Sequence, residues 1–438
     1  MDSPRVEKSV LPSGLRVLTV GMPHLHAGLI NVYVRAGSRH ESARNNGVSH
    51  FLEHLFFRGS AGFPDGRALN ALVEDAGGDL NGVTARDHGY YTSPFHPAHL
   101  DVPLRVLGDL LARPLFKDVA IEREVILEEI LDEVDEDGRD IDVDNLCKRA
   151  IFREHPLALK IAGTRDSVAA LGEPDVRDWH ARAYGASNLV VAVAGPVEHA
   201  RVAEMVNEFF KYLQPGESLE DGPPPAIPER SEPELVLVEH KGESQTQVQL
   251  SFAGPSEEHP DYAALRILRR ILGDGLSSRL QGELVEKRAL AYSVGAGSDP
   301  FTDCSVFDVG AACAPKKAPQ VAEALLELLA DLCEREVPEG ELARAKGKAR
   351  IRVEFMQDSP GEMVEWYGLD ELLRGRQESP LHWIERMEDV SAAGLREVAR
   401  RTFARNRLVG CAVGPLGGAH KVEKKLRAIL EDAAGLPR

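Results

Sequence analysis

The sequence predicts an α+β protein made of two copies of one domain, each an antiparallel-rich sheet covered by helices. Three observations point there. Short runs of strand length, alternating or wholly apolar, lie between longer runs with the 3.6-residue period of amphipathic helices. A polar stretch at 214–233 holds six prolines and splits the 438 residues near their middle, as a semi-stiff linker does. One helix–turn–strand unit also occurs twice in register. Val176–Tyr184 leads into Leu189–Pro196, and Leu395–Phe403 leads into Leu408–Pro415; Tyr184 and Phe403 lie 219 residues apart, as do Pro196 and Pro415. A fixed spacing of this kind is the mark of duplication. The expected division is a domain at 1–213, the linker at 214–233, and a second domain at 234–438.

In chain order, Gly14–Val20 and Leu29–Arg35 read as strands, the second ending in the turn Ala36–Arg39. A helix follows at 47–58. The next, Arg67–Glu74, is closed by Gly77-Gly78, a C-cap signal. Two strands are expected around Asp79–Thr84 and Gly89–Pro94, then helices at about 100–111 and 119–136. Leu189–Gly195 is a continuous apolar run, typical of a buried strand, and a helix near 200–212 closes the first half. In the second half, His259–Leu268 reads as a helix.

Composition is that of an ordinary globular chain, with 43% apolar and 28% charged residues. No apolar run approaches the roughly 18–20 residues of a membrane span, and Met1–Glu7 lacks the layout of a secretory signal. Five scattered cysteines without C-x-x-C spacing fit reduced thiols, so a cytoplasmic location is expected. The net charge of −18 argues against nucleic acid as a partner and is compatible with basic peptides, and without an apolar span no membrane partner is expected.

The chemistry concentrates in Gly47–Arg58, which contains His50-Phe51-Leu52-Glu53-His54. His50 and His54 are four apart and project from one helical face, so two imidazoles can grip one zinc ion, with Glu53 beside them as a free carboxylate. The order His-x-x-Glu-His is the inverted form of the familiar zinc-peptidase motif. Catalytic zinc takes a third protein ligand. The acidic helix Glu122–Ile130 is the best source, since Glu122 and Glu129 stand seven apart on one face and Val125, Ile126 and Leu127 suggest an inward side. The second half has no such histidine block.

These blocks together resemble the pitrilysin family of inverted-motif zinc peptidases. So do Val10–Val17, Val34–Glu41 and Ala162–Ser167, and the resemblance runs along essentially the whole chain. It implies Zn2+ held by His50, His54 and Glu129, with Glu53 as general base and Glu122 as a supporting carboxylate of the catalytic site. It implies a peptide-binding edge strand at Asn81, Gly82 and Val83, where the family commonly has alanine at the position of Gly82. It also places the family's substrate-holding tyrosine at Tyr292. The arginine that precedes that tyrosine by seven residues in active relatives is replaced by Val285, which leaves Arg279 or Arg288 as stand-ins. The function implied is a zinc metalloendopeptidase acting on peptides or unfolded segments; the alternative is a non-catalytic structural or partner subunit. Short-chain members, such as mitochondrial processing peptidase subunits, pair into a clamshell chamber. A homodimer or a heterodimer with a related subunit is therefore expected. The acidic run 128–144 is expected to favour basic substrates.

Overall fold

The computed structural model describes residues 4–226, 230–417 and 421–437. Met1–Ser3 and residues 227–229 of the expected linker lie outside the described residues. Packing divides the chain into two compact units.

The first unit is built on six strands: β1 (Arg5–Val10), β2 (Arg16–Gly21), β3 (Gly28–Val34), β4 (Asn81–Thr84), β5 (Gly89–Phe95) and β6 (Leu189–Gly195). They lie in the order β1-β2-β6-β3-β5-β4. β6 runs parallel to β2 and antiparallel to β3, and all of its residues are buried. A strand covered on both faces has no polar side to show, hence its unbroken apolar sequence. On one face Ile30, Val32 and Val34 share a core with Val48, Phe51 and Leu55 of the helix Val48–Phe56. Tyr33 and Ala192 point to the other face, against the helix Pro360–Arg374.

The second unit is built on β7 (Glu234–Glu239), β8 (Thr246–Gly254), β9 (Ala291–Pro300), β10 (Ser305–Cys313) and β11 (Val409–Gly414), in the order β7-β11-β8-β10-β9. This is the order of the first sheet without β1. β11 is parallel to β7 and antiparallel to β8, as β6 is to β2 and β3. The residues that end the two central strands, Gly195 and Gly414, have φ of 145° and 143°. These are the same 219-residue equivalents seen in the sequence. On one sheet face, Cys147 and Ile151 of the helix Val143–Phe152 pack with Val409, Cys411 and Val413.

The units are not contiguous halves of the chain. Glu354–Glu378 packs with the first unit and Leu131–Ala158 with the second, across the division drawn at 213 and 234. The reason is cover: each sheet has two apolar faces, and the helix that covers one of them comes from the other half of the sequence. The helix expected to reach residue 136 stops at Ile130. There the Asp135 carboxylate accepts from the amides of Asp137 and Arg139 and stabilises a turn through Gly138, a local competitor of helix. The cap after residue 75 is as expected: Gly77 is left-handed at φ 82°, and the Gly78 amide reaches back to Val73.

The exchanged helix fits because Gly368 has no side chain. A Cβ there would lie 2.3 Å from the Tyr33 ring. Gly368→Val is expected to lower stability by about 1–3 kcal/mol through overpacking, measured as a fall in the urea midpoint at unchanged slope.

Candidate active site

The helix Val48–Phe56 is amphipathic in a simple way. Val48, Ser49, Phe51, Leu52, Leu55 and Phe56 are buried, and His50, Glu53 and His54 occupy the half-buried remainder. Its N-cap, Gly47, is left-handed at φ 93°, and a Cβ there would meet the Ala162 carbonyl at 2.7 Å, so glycine is required. Gly47 has no side chain to cap with. The buried Glu41 does it instead, accepting from the amides of Gly47 (2.7 Å) and Ser49 (2.8 Å) and from Asn46 Nδ2 (2.9 Å). Burial pushes the Glu41 carboxyl up, and these three donors oppose that. Glu41 stood in the sequence as part of a block without a role; its work depends on a chain path that spacing does not show.

The helix Val119–Ile130 brings the other carboxylates. Glu122, Ile126 and Ile130 form its buried side, while Val125 is 39% exposed and Leu127 only partly buried. The inward side is therefore narrower than the run Val125–Leu127 suggested. Glu122 Oε2 receives a hydrogen bond from His54 Nδ1 at 3.1 Å, and its Oε1 accepts from Arg58 Nε. Binding the Nδ1 hydrogen leaves the His54 Nε2 lone pair free to face outward. Glu122 therefore acts through His54 and not on the reacting atoms. Two turns on, Glu129 Oε2 lies 3.6 Å from His54 Nε2 and 3.8 Å from His50 Nε2.

The donor set fits zinc. Three ligand atoms lie within 4.8 Å of one another, close to the mutual distances of a tetrahedral site with bonds near 2.0–2.2 Å. Burial, and then the neighbouring His54, push the His50 imidazole down to about 4, so it is neutral as a ligand nitrogen must be. The buried Nδ1 of His50 has no hydrogen-bond partner among the described residues.

Glu53 turns toward β4. Thr84 Oγ1 donates to its Oε2 at 2.5 Å, and burial raises the carboxyl against that hydrogen bond. β4 is the edge of its sheet and, among the described residues, pairs only with β5. Hydrogen-bonded pairs alternate along an antiparallel ladder, and Ala85 N bonds the His88 carbonyl, so Gly82 and Thr84 turn their backbone donors and acceptors away from β5 while Asn81 and Val83 turn theirs toward it. Gly82 faces Glu53, and a Cβ there would meet Glu53 Cγ at 2.7 Å. The Glu53 side chain fills the space that an alanine at position 82 would need.

Two expectations are corrected in the second unit. Arg279 is not available to a substrate: its guanidinium makes a fork with Glu341 (2.9 and 2.8 Å) and a third bond to Asp331 (2.8 Å). Arg288 is paired with Glu327 at 2.8 Å. Val285 lies in a π-helical turn, Gln281–Lys287. Tyr292 is near the start of the edge strand β9 and is 90% exposed. The acidic run is also answered internally, by Arg139 at Asp135 and Asp137, by Arg149 at Asp140, and by Lys148 at Asp144. This removes much of the basis for a preference for basic substrates.

A second carboxylate group, Asp144, Asp299 and Asp308, borders a cavity of about 510 Å³. It already holds a cation. The ammonium of Lys148, 1% exposed, bonds Asp144 and lies 2.5 Å from Asp299. Burial pushes Asp308 up to about 6, against hydrogen bonding from Ser251 and the charge of Lys148.

Known proteins resemble this chain along nearly its whole length. The family described as Insulinase (Peptidase family M16) matches residues 16–165, and the one described as Peptidase M16 inactive domain matches residues 171–348. An uncharacterized zinc protease of Mycobacterium tuberculosis is 34% identical over 437 residues, covering 97% of this chain and 96% of its own length. A probable mitochondrial-processing peptidase subunit beta of Arabidopsis thaliana is 28% identical, covering 95% of this chain and 80% of its own length. A protease from Helicobacter pylori has a TM-score of 0.85 at 25% identity, covering 94% of this chain and all of its own. An inverted histidine motif on a two-sheet α+β fold defines the class as zinc-protease-like. The chain belongs to the M16 peptidase family.

Glu122→Ala is expected to weaken zinc binding by about 10–100-fold, read by competition with a chromogenic chelator, because the outer hydrogen bond of His54 is lost. A second expectation concerns Asp308. With its folded pKa raised from 3.8 to about 6, it contributes stability that is present below pH 3.8 and lost as pH rises through 6. Asp308→Asn should gain on wild type by about 3 kcal/mol between pH 4 and pH 7, measured by urea unfolding.

Proposed function

We propose that this chain is a zinc-dependent metalloendopeptidase that hydrolyses peptides or unfolded polypeptide segments. One observation carries the reading: the Nε2 atoms of two histidines one turn apart converge on one oxygen of Glu129, with a third carboxylate, Glu53, beside them and outside the ligand set. When bound by His50, His54 and Glu129, zinc would acidify a water and polarise a peptide carbonyl. Glu53 takes the water's proton and later delivers it to the leaving amine. An extended peptide adds to the free edge of β4 through its backbone, which makes recognition largely independent of sequence. Glu122 keeps His54 in the ligating tautomer.

The relative named as a subunit of the mitochondrial processing peptidase supports pairing with a second copy or a related chain. Val285, Arg279 and Arg288 favour a second reading, in which this chain brings the metal and its partner brings the arginine. A non-catalytic subunit is the limit of that reading.

Purified chain is expected to carry near-stoichiometric zinc by elemental analysis. Glu53→Gln should retain the metal and lose about 10²–10⁴-fold in peptide cleavage. Metal-free protein, or a fully active Glu53→Gln variant, would sink the proposal.

A further inference from the structure

We propose that Thr84 is a positioning residue for Glu53, so that the strand expected to dock the peptide also aims the base; this rests on reading Glu53 as the general base. The geometry is specific to this corner of the first unit. Thr84 is the last residue of β4, held in register opposite Gly89 of β5. Its Oγ1 donates to Oε2 of Glu53 at 2.5 Å. A hydroxyl-to-carboxylate hydrogen bond is charge-assisted and stronger than one between neutral groups. Threonine's β-branch restricts χ1, so the hydroxyl is aimed by the strand itself.

The other contact on Glu53 comes from the same strand. Gly82 leaves the room that the Glu53 side chain fills, with Oε1 3.1 Å from where a Cβ would stand. Two residues of β4 thus fix one carboxylate, one by donating a hydrogen bond and one by having no side chain. Oε2 is occupied by Thr84, and Oε1 is left for the proton that moves in the reaction. Without the hydroxyl the half-buried carboxylate is free to swing about its χ angles. A misplacement of about 1 Å at a reacting group can cost 10²-fold in rate. Backbone pairing of a peptide along β4 would stiffen the strand that holds the base, which ties correct docking to correct aim.

The experiment compares Thr84→Val, Thr84→Ala and Thr84→Ser in the zinc-loaded full chain, with Glu53→Gln alongside. Thr84→Val and Thr84→Ala are expected to lower kcat by about 10–100-fold while KM and zinc content stay within about twofold, and Thr84→Ser to recover most of kcat. If Thr84→Val fails to fold, Thr84→Ala, which adds no bulk, carries the comparison. Wild-type kcat in the alanine variant would overturn the proposal. So would a serine variant as impaired as alanine, or a loss confined to KM or to zinc content. The two readings fail separately. An active Glu53→Gln removes the base assignment and Thr84's role with it. An inactive Glu53→Gln beside a fully active Thr84→Ala removes Thr84 alone.

Discussion

A buried carboxylate without donors costs several kcal/mol, so Glu122 must be satisfied, and how it is satisfied sets the geometry of the site. It is 5% exposed and answered by His54 and Arg58, both from the histidine segment, while it belongs to the helix Val119–Ile130 itself. That bond is the joint between the two helices. It turns His54 so that Nε2 faces out, and it fixes the roll of its own helix so that Glu129, two turns on, meets both histidines. Ile126 and Ile130 hold the same roll from the apolar side. At the other end Glu41 anchors the first turn of the histidine helix. The convergence of His50, His54 and Glu129 therefore depends on buried polar groups outside that trio.

Much of this was legible in the sequence because it is local. The four-residue spacing of His50 and His54 and the seven-residue spacing of Glu122 and Glu129 are helix arithmetic. β6 and β11 were visible as apolar runs, and their 219-residue offset as duplication. What was hidden depends on partners far along the chain. Arg279 read as a free cation because Asp331 and Glu341 are remote from it. Thr84 read as one residue of a strand because its partner, Glu53, lies 31 positions earlier. Val125 read as inward because three apolar residues in a row do not say which one faces the core. The turn at Asp135 was in principle visible, since an acidic residue before glycine competes with helix, but the helical run on either side masked it.

The two sheets share an order and differ in chemistry. The first carries the histidine helix against one face and an unpaired edge at β4. The second uses its cations on its own carboxylates, at Arg279, Arg288 and Lys148. A duplicated frame thus carries the histidine block in one unit and lacks it in the other.

The exchange of helices between the halves bears on how the protein is made. A chain emerges from the ribosome N-terminus first, and domains commonly fold as they emerge. Here the first sheet is complete in sequence once β6 has appeared, yet the helix that covers its Tyr33 face, Pro360–Arg374, is among the last parts to be translated. Val143–Phe152, in turn, is synthesised long before β11 exists to receive it. The nascent chain must therefore carry an uncovered apolar face and an unplaced helix through most of its synthesis. Neither unit can close until translation is nearly over, which makes the newborn protein a natural client for chaperones.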